Sequence, residues 1–453
     1  MAINPADSVV MGTLYGSDAM RAVFDEDATT RRMLETEAAL ARAQARLGLI
    51  PEDAARSITE AAARDADIDR AALAASARNV GYPVVGLVRE LSRLSGEAGG
   101  WTHWGATTQD IVDTATVLQV RDALVLIRAE TAAVARALAA LAERHRATVM
   151  AGRTHLQHAL PTTFGLKCAT WMLPLLAHLD RIDEMRPRVE VVAFGGAAGT
   201  LASLGEHGIA VAEGLAAELR LGVPPAPWHV CRDGLAEAVG VLGLICGSLA
   251  KLATDVILLA QTEIAEVSEP HVTGRGSSST MPQKRNPIAS EYILAAARMV
   301  HALVAVMQGA MAQDHERGTG PWQTEPLALP QAFVLTHGAL LHARTIAEGM
   351  VVDPARMRRN LDASNGLIMA EAVMMRLAPM LGREAAHHAV RHACDAALRD
   401  DVALADALAA EPAVAAWLDR AAIAALVDPA GYLGSAGAFI ARALARAAAV
   451  RGQ

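Results

Sequence analysis

GRGSSSTMPQKRNPIASE, residues 274–291, suits no regular element of a packed protein. Three serines and a threonine follow two glycines, and Pro282 and Pro287 then bracket Gln283, Lys284, Arg285 and Asn286. Glycine widens backbone freedom while proline fixes φ and removes a donor, so the stretch reads as a loop with a defined, irregular path. Consecutive Gly-Ser-Ser N–H groups can converge on an anion, with the Lys284 ammonium and the Asn286 amide beside them; a carboxylate fits such a cradle. The other reading of this composition is a solvated Ser/Gly linker. A linker has no use for Met281, Pro282, Lys284 and Asn286 in this order, nor for the helical pattern that resumes at Ile288. Of 41 lysines and arginines only Lys167, Lys251 and Lys284 are lysines, so a compact ammonium here departs from the chain's default cation.

Around this loop the 453 residues are 53% hydrophobic but only 3% aromatic, with alanine and leucine dominant, which predicts an all-α protein with tightly packed helices and a large core. A net charge of −8 without any basic cluster, together with the scarcity of aromatic platforms, argues against nucleic acid as a partner. Cys168, Cys231, Cys246 and Cys394 lie far apart without C-x-x-C spacing, so neither a zinc site nor a disulfide framework is expected, and reduced cytoplasm is the simplest compartment. The N-terminus lacks a charged segment followed by an apolar run. The most apolar segment, Ala238–Ala250, is too short to span a bilayer and reads as a core helix, so no membrane partner is expected.

Along the chain three segments are expected: 1–112 of short helices, a central bundle over 113–354, and short helices again over 355–453. Periodicity places five long helices at roughly 113–147, 162–189, 232–269, 288–313 and 330–350. The third would be on the order of 50 Å long. Helices of that length that are apolar on more than one face need partner subunits to cover them. An earlier amphipathic helix over Thr29–Leu47 stops at Gly48 and Pro51.

Five further stretches stand out for their polar groups or glycines. In WTHWGATTQDIVDTA, from Trp101, the hydroxyls of Thr107 and Thr108 precede a helix starting near Asp110, where free N–H groups can meet an anion; alone this is a good N-cap. In AGRTHLQHALPTTFG, from Ala151, His155 and His158 are separated by two residues and Pro161 is expected to open a helix; no carboxylate or cysteine at ligand spacing supports a metal. FGGAAGTLASLG, Phe194–Gly205, is glycine-rich but follows no strand, so it is not read as a nucleotide cradle. PWHVCRDGL, from Pro227, offers Arg232 and Asp233 as helix-start or interface residues, and HERGTGPWQTEPLALP, His315–Pro330, is a second irregular stretch between helices.

The run Ser278 to Pro287 resembles the signature loop of the fumarase/aspartase superfamily, Gly-Ser-Ser-x-Met-Pro-x-Lys-x-Asn. The likeness extends over nearly the whole chain and is greatest to the 3-carboxy-cis,cis-muconate cycloisomerase and adenylosuccinate lyase branches. It implies a three-domain, all-α fold and a homotetramer with active sites shared between subunits, acting on a small di- or tricarboxylate with no cofactor and no metal. In these terms Ser278 is the base that removes a proton next to a carboxylate, and loop N–H groups with Lys284 stabilise the doubly charged carbanion. His155, paired with Glu291, protonates the leaving group. Thr107, Thr108, His103, Thr154, Gln157, Asn286, Ser279 and Met281 are carried over as substrate-binding residues, with Arg317 from the second irregular stretch. Arg21 sits where an arginine of these branches can face the substrate, and reads equally as a surface arginine.

Adenylosuccinate lyases place serines and an arginine for a nucleotide phosphate where this chain has Trp322, Gln323 and Pro326, so a nucleotide substrate is not expected. Bacterial cycloisomerases commonly have tryptophan in place of the histidine and can lack the glutamate, whereas this chain has both His155 and Glu291. The expectation is therefore a lyase that removes an amine-like group from a substituted succinate to give fumarate. The alternative is 3-carboxy-cis,cis-muconate cycloisomerase, and a silent helical scaffold is the third reading.

Overall fold

The computed structural model describes residues 4–270, 281 and 283–450. Helix dominates, as the alanine- and leucine-rich composition predicts. The helices that matter for the site are α1, Glu26–Arg46; α2, Thr108–Arg144; α3, Phe164–Val189; α4, Asp233–Ala260; α5, Ile288–Gly309; α6, Glu325–Gly349; and α7, Pro354–Asp362. The chain packs as two compact units: Met1–Thr131 with His178–Leu249 and Tyr292–Leu341, and Ala132–Ala177 with Ala250–Glu291 and His342–Gln453. Each of the five long helices, α2 to α6, contributes residues to both.

In the first unit α1 is the organising element. Asp25 caps it by accepting from the Ala28 N–H at 2.6 Å, and Gly48 with φ of +70° ends it, where a side chain would be strained. Ala38, Ala39, Ala41 and Ala43 are all buried, and their small side chains allow neighbouring helices to approach closely. Met33, Leu34 and Ala41 join one core cluster with Ile58, Leu87, Leu91 and Ile111, while Ala39 and Leu40 join another with Leu118, Val192, Phe194 and Leu215.

The second unit holds a core of Val373, Leu377, Val390, Leu404 and Leu408 in the C-terminal helices. It also contains a feature the sequence reading did not anticipate. Residues 149–163 form an antiparallel hairpin, β1 Val149–Thr154 and β2 Gln157–Thr163, where a loop leading directly into a helix was expected. Pro161, expected to open that helix, is paired with Ala151 inside β2, and α3 starts at Phe164. The apolar run at residues 149–151 is too short, and does not alternate with polar residues, so it does not announce a strand. Ala151 packs with Leu361 of α7, Ile368 and Met369.

Three other expectations are corrected. The third long helix ends at Ala260, and residues 261–266 turn into a two-residue strand, β3 Val267–Ser268, antiparallel to β4 Val351–Val352. The turn is held from α7: Arg356 donates to the Ile264 and Glu263 carbonyls, and Asn360 to the Ile264 carbonyl. The second irregular stretch is shorter than expected, because α6 begins at Glu325 with Pro326 in its first turn, where a missing N–H costs nothing. The apolar run Ala238–Ala250 is part of the 28-residue α4, and by length and composition both α4 and α5 are sufficient to cross a membrane.

Candidate active site

The first unit carries the residues singled out around Thr107. Asp110 organises them. Fully buried, its Oδ2 accepts from the Thr107 N–H at 2.9 Å, which supplies one half of a capping box at the start of α2, and from the Gly196 N–H at 3.0 Å. Its Oδ1 accepts from the Gly195 N–H at 2.8 Å and from His229 Nε2 at 2.7 Å. Four N–H donors on one carboxylate compensate for its burial and fix the Thr107 loop to the glycine-rich turn. This explains the glycines: a Cβ at Gly195 would lie 2.8 Å from the His229 ring, and one at Gly105 2.7 Å from Leu204. The Thr107 and Thr108 hydroxyls have no hydrogen-bond partner among the described residues.

His103 adopts a left-handed φ of +58°, and its Nδ1 lies 2.6 Å from Oε1 of the buried Glu37 on α1. Burial works to lower its pKa, but the hydrogen bond and charge of Glu37, with the charge of Asp110, outweigh it and leave the pKa raised. Arg317 is engaged within the protein: it donates to Gln109 Oε1 at 2.6 Å and to the Gly196 and Ala197 carbonyls at 3.2 and 2.9 Å. Arg21 staples the N-terminal segment, donating to the Ala6 and Gly12 carbonyls and pairing with Asp18 at 2.5 Å.

Arg232, expected as a helix-start or interface residue, is 1% exposed. It forms paired hydrogen bonds to both Asp113 and Glu325, and the Trp322 indole N–H and the Gln109 amide complete Asp113. Burial is the largest influence on Glu325 and raises its pKa against the pull of Arg232.

The second unit carries the other group. His155 and Leu156, with φ of +50° and +65°, form the two-residue tip of the hairpin between the paired Thr154 and Gln157. Both central residues of such a tight turn take positive φ, which is why Asn-Gly is common there and His-Leu is strained. Leu156 is 72% exposed, and His155 is exposed beside it. Below the tip, Arg153 pairs with both oxygens of the buried Glu266 at 2.9 and 2.5 Å, and Asn360 donates to the same carboxylate.

Met281, Lys284 and Asn286 line a cleft of about 780 Å3 with Ser268 and Glu269. Glu269 caps α5, accepting from the Ala289 and Ser290 N–H groups at 3.0 and 2.8 Å and from the Ser290 hydroxyl at 2.8 Å. This fixes the first turn of α5, which carries the exposed Glu291. Neither the His155 ring nor the Glu291 carboxylate has a hydrogen-bond partner among the described residues. Ser278 and Ser279 lie outside the described residues.

Sequence reasoning missed Glu37, Asp110, Glu266 and Glu269. Asp110 was recoverable from Thr107-x-x-Asp110, the spacing of a capping box. Glu37 was recoverable as an acid on the apolar face of α1. No local signal marks Glu266 or Glu269.

Polar groups thus gather separately on the loops of each unit: free hydroxyls and a histidine–carboxylate pair in the first, and a cleft lined by a lysine in the second. The family model described as lyase matches residues 14–302, and that described as adenylosuccinate lyase C-terminus matches 366–443. A 3-carboxy-cis,cis-muconate cycloisomerase of Bradyrhizobium diazoefficiens is 46% identical over 98% of this chain and 99% of its own. The solved 3-carboxy-cis,cis-muconate lactonizing enzyme of Pseudomonas putida is 43% identical with a TM-score of 0.93, covering 98% of this chain and 100% of its own. The solved fumarate lyase of Mesorhizobium sp. BNC1 is 50% identical with a TM-score of 0.90, covering 95% and 98%. The chain belongs to the fumarase/aspartase superfamily and has its all-α, three-domain fold; it is an enzyme of that superfamily.

Proposed function

We propose that this chain converts 3-carboxy-cis,cis-muconate to its lactone. The near full-length similarity to cycloisomerases carries this reading, which it favours over the amine elimination expected from the sequence. In this reaction a carboxylate oxygen of the substrate bonds to one alkene carbon while a proton is added to the neighbouring carbon. The reverse step removes that proton from beside a carboxylate. Ser278 exchanges the proton, and Lys284 with the loop N–H groups stabilises the carbanion. Thr107, Thr108, Thr154, Gln157, Asn286, Ser279 and Met281 form the walls that hold the carboxylates.

One observation favours a second reading. His155 is presented on a strained, exposed tip and Glu291 on an exposed first turn, so both are available to an acid–base pair across subunits. That pair suits elimination from a substituted succinate: a base takes the proton, the C–N or C–O bond breaks, and the leaving group takes a proton from His155 while fumarate forms. Both readings use a homotetramer in which different subunits complete each site, consistent with α5, whose most apolar stretch is only 28% buried within the chain.

Separate incubations with 3-carboxymuconate and with a panel of succinyl-amines, malate and nitrosuccinate, followed by ultraviolet absorbance and product analysis, test the choice. Rapid lactone formation, lost by at least about 100-fold in Ser278→Ala, is expected. Fumarate from a succinyl-amine without any lactone from carboxymuconate would replace the first reading by the second. Undiminished turnover by the alanine variant would remove Ser278 as the base.

A further inference from the structure

The pair formed by Glu37 and His103 has features that a packing role does not require. Glu37 is 1% exposed in the alanine-rich face of α1, and its Oε2 is buried without a partner among the described residues. One turn pair further along α1, Gln44 donates to the Trp104 carbonyl at 2.6 Å, so two buried polar side chains of α1 grip the loop that carries His103. A buried carboxylate facing a neutral imidazole would leave an uncompensated charge, whereas an imidazolium cancels it. The grip also holds His103 at positive φ, a conformation that a non-glycine residue adopts only when its surroundings enforce it. The ring's Nε2 has no partner among the described residues, and the side chain remains 20% exposed.

We propose that Glu37 is a positioning residue that holds His103 as an imidazolium, with the free Nε2–H directed to pairing with a carboxylate of the substrate. The inference rests on the carboxylate-substrate reading above. His103 lies two residues beyond Trp101 and four before the free Thr107 hydroxyl, so the cation and the helix N-terminus of α2 belong to one loop. The charged groups facing the ring are Glu37 from α1 and Asp110 from α2, and Asp110 is itself bonded to His229. Both acids favour the protonated ring and outweigh its burial. A substrate with a third carboxylate gains most from such a group, because it offers an additional anion to pair.

Deuterium exchange at the histidine Cε1–H, read by peptide mass spectrometry across pH on the intact substrate-free enzyme, measures the His103 midpoint directly. The wild type is expected to titrate above the ordinary value of about 6.5. Glu37→Gln, which keeps the shape and removes the charge, is expected to lower the midpoint below that of the wild type. The alkaline limb of kcat/KM should move down with it, with KM rising more than kcat falls. A wild-type midpoint at or below 6.5, or one unmoved in a folded Glu37→Gln enzyme, would overturn the inference; should the variant fail to fold, the wild-type midpoint alone decides. The exchange midpoint is independent of substrate, so a wrong choice between lactone and fumarate chemistry leaves it intact. An ordinary midpoint in an active enzyme removes the role of Glu37 without touching the proposed reaction.

Discussion

At the scale of single residues, the Arg232 cluster shows how a polar group is made tolerable in a helical core. Two carboxylates, one guanidinium, an indole and an amide satisfy one another out of contact with water. A buried ion pair adds little stability relative to a well-packed apolar replacement, but removal of one partner strands the others. Arg232→Met leaves both Asp113 and Glu325 without their cation. The expected loss is about 3–5 kcal/mol, seen as a lower urea midpoint with an unchanged slope. An unchanged midpoint would mean that the carboxylates reorganise or take up protons without cost.

At the scale of elements, His178 joins α3 to α4. Its Nδ1 accepts from Arg181 Nη1 at 3.1 Å, so Nε2 carries the hydrogen and donates to the Ser248 hydroxyl at 2.9 Å, which donates onward to the Leu244 carbonyl. Protonation would set two donors face to face. Burial, with the charge of Arg181 added, pushes the pKa down to about 4. The unfolded chain takes up this proton near pH 6.5, the folded chain only near 4. Within that window the unfolded state binds more protons, so the contribution is complete above 6.5 and is lost as pH falls to 4. Denaturant stability should therefore decline more steeply from pH 6.5 to 4 in the wild type than in His178→Gln. His145, His158 and His337, whose pKa values are also lowered chiefly by burial, act in the same sense, so the variant reduces the slope without abolishing it.

At the scale of the whole molecule, α5 presents Met299 and Val306 to the surface at 51% and 39% exposure. An apolar helix left this open fits burial against other copies of the chain. Light scattering at micromolar concentration is expected to give four chains for the wild type. Met299→Glu places a charge on the face in question and should yield smaller species that keep their helical circular dichroism and lose turnover, as the proposed sharing of each site among subunits requires. A wild-type monomer would contradict the proposed assembly.

What the sequence determined by itself was local or patterned: helices from an apolar period, the start of α2 from the adjacent hydroxyls of Thr107 and Thr108 before Asp110, and membership of a superfamily from the run Ser278 to Pro287. Each of these depends on neighbours within a few positions, or on a motif long enough to be specific. Only the tertiary structure decided which acids meet which cations. Glu37 and His103 are 66 residues apart, and Asp113 and Arg232 are 119 apart. The hairpin that presents His155 was hidden for a related reason: its strands gain stability from each other and from the packing of Ala151 against Leu361, and neither segment alone has the length or alternation to declare itself. Pairing across such separations is set by how helices and strands pack, and a linear pattern holds no record of it.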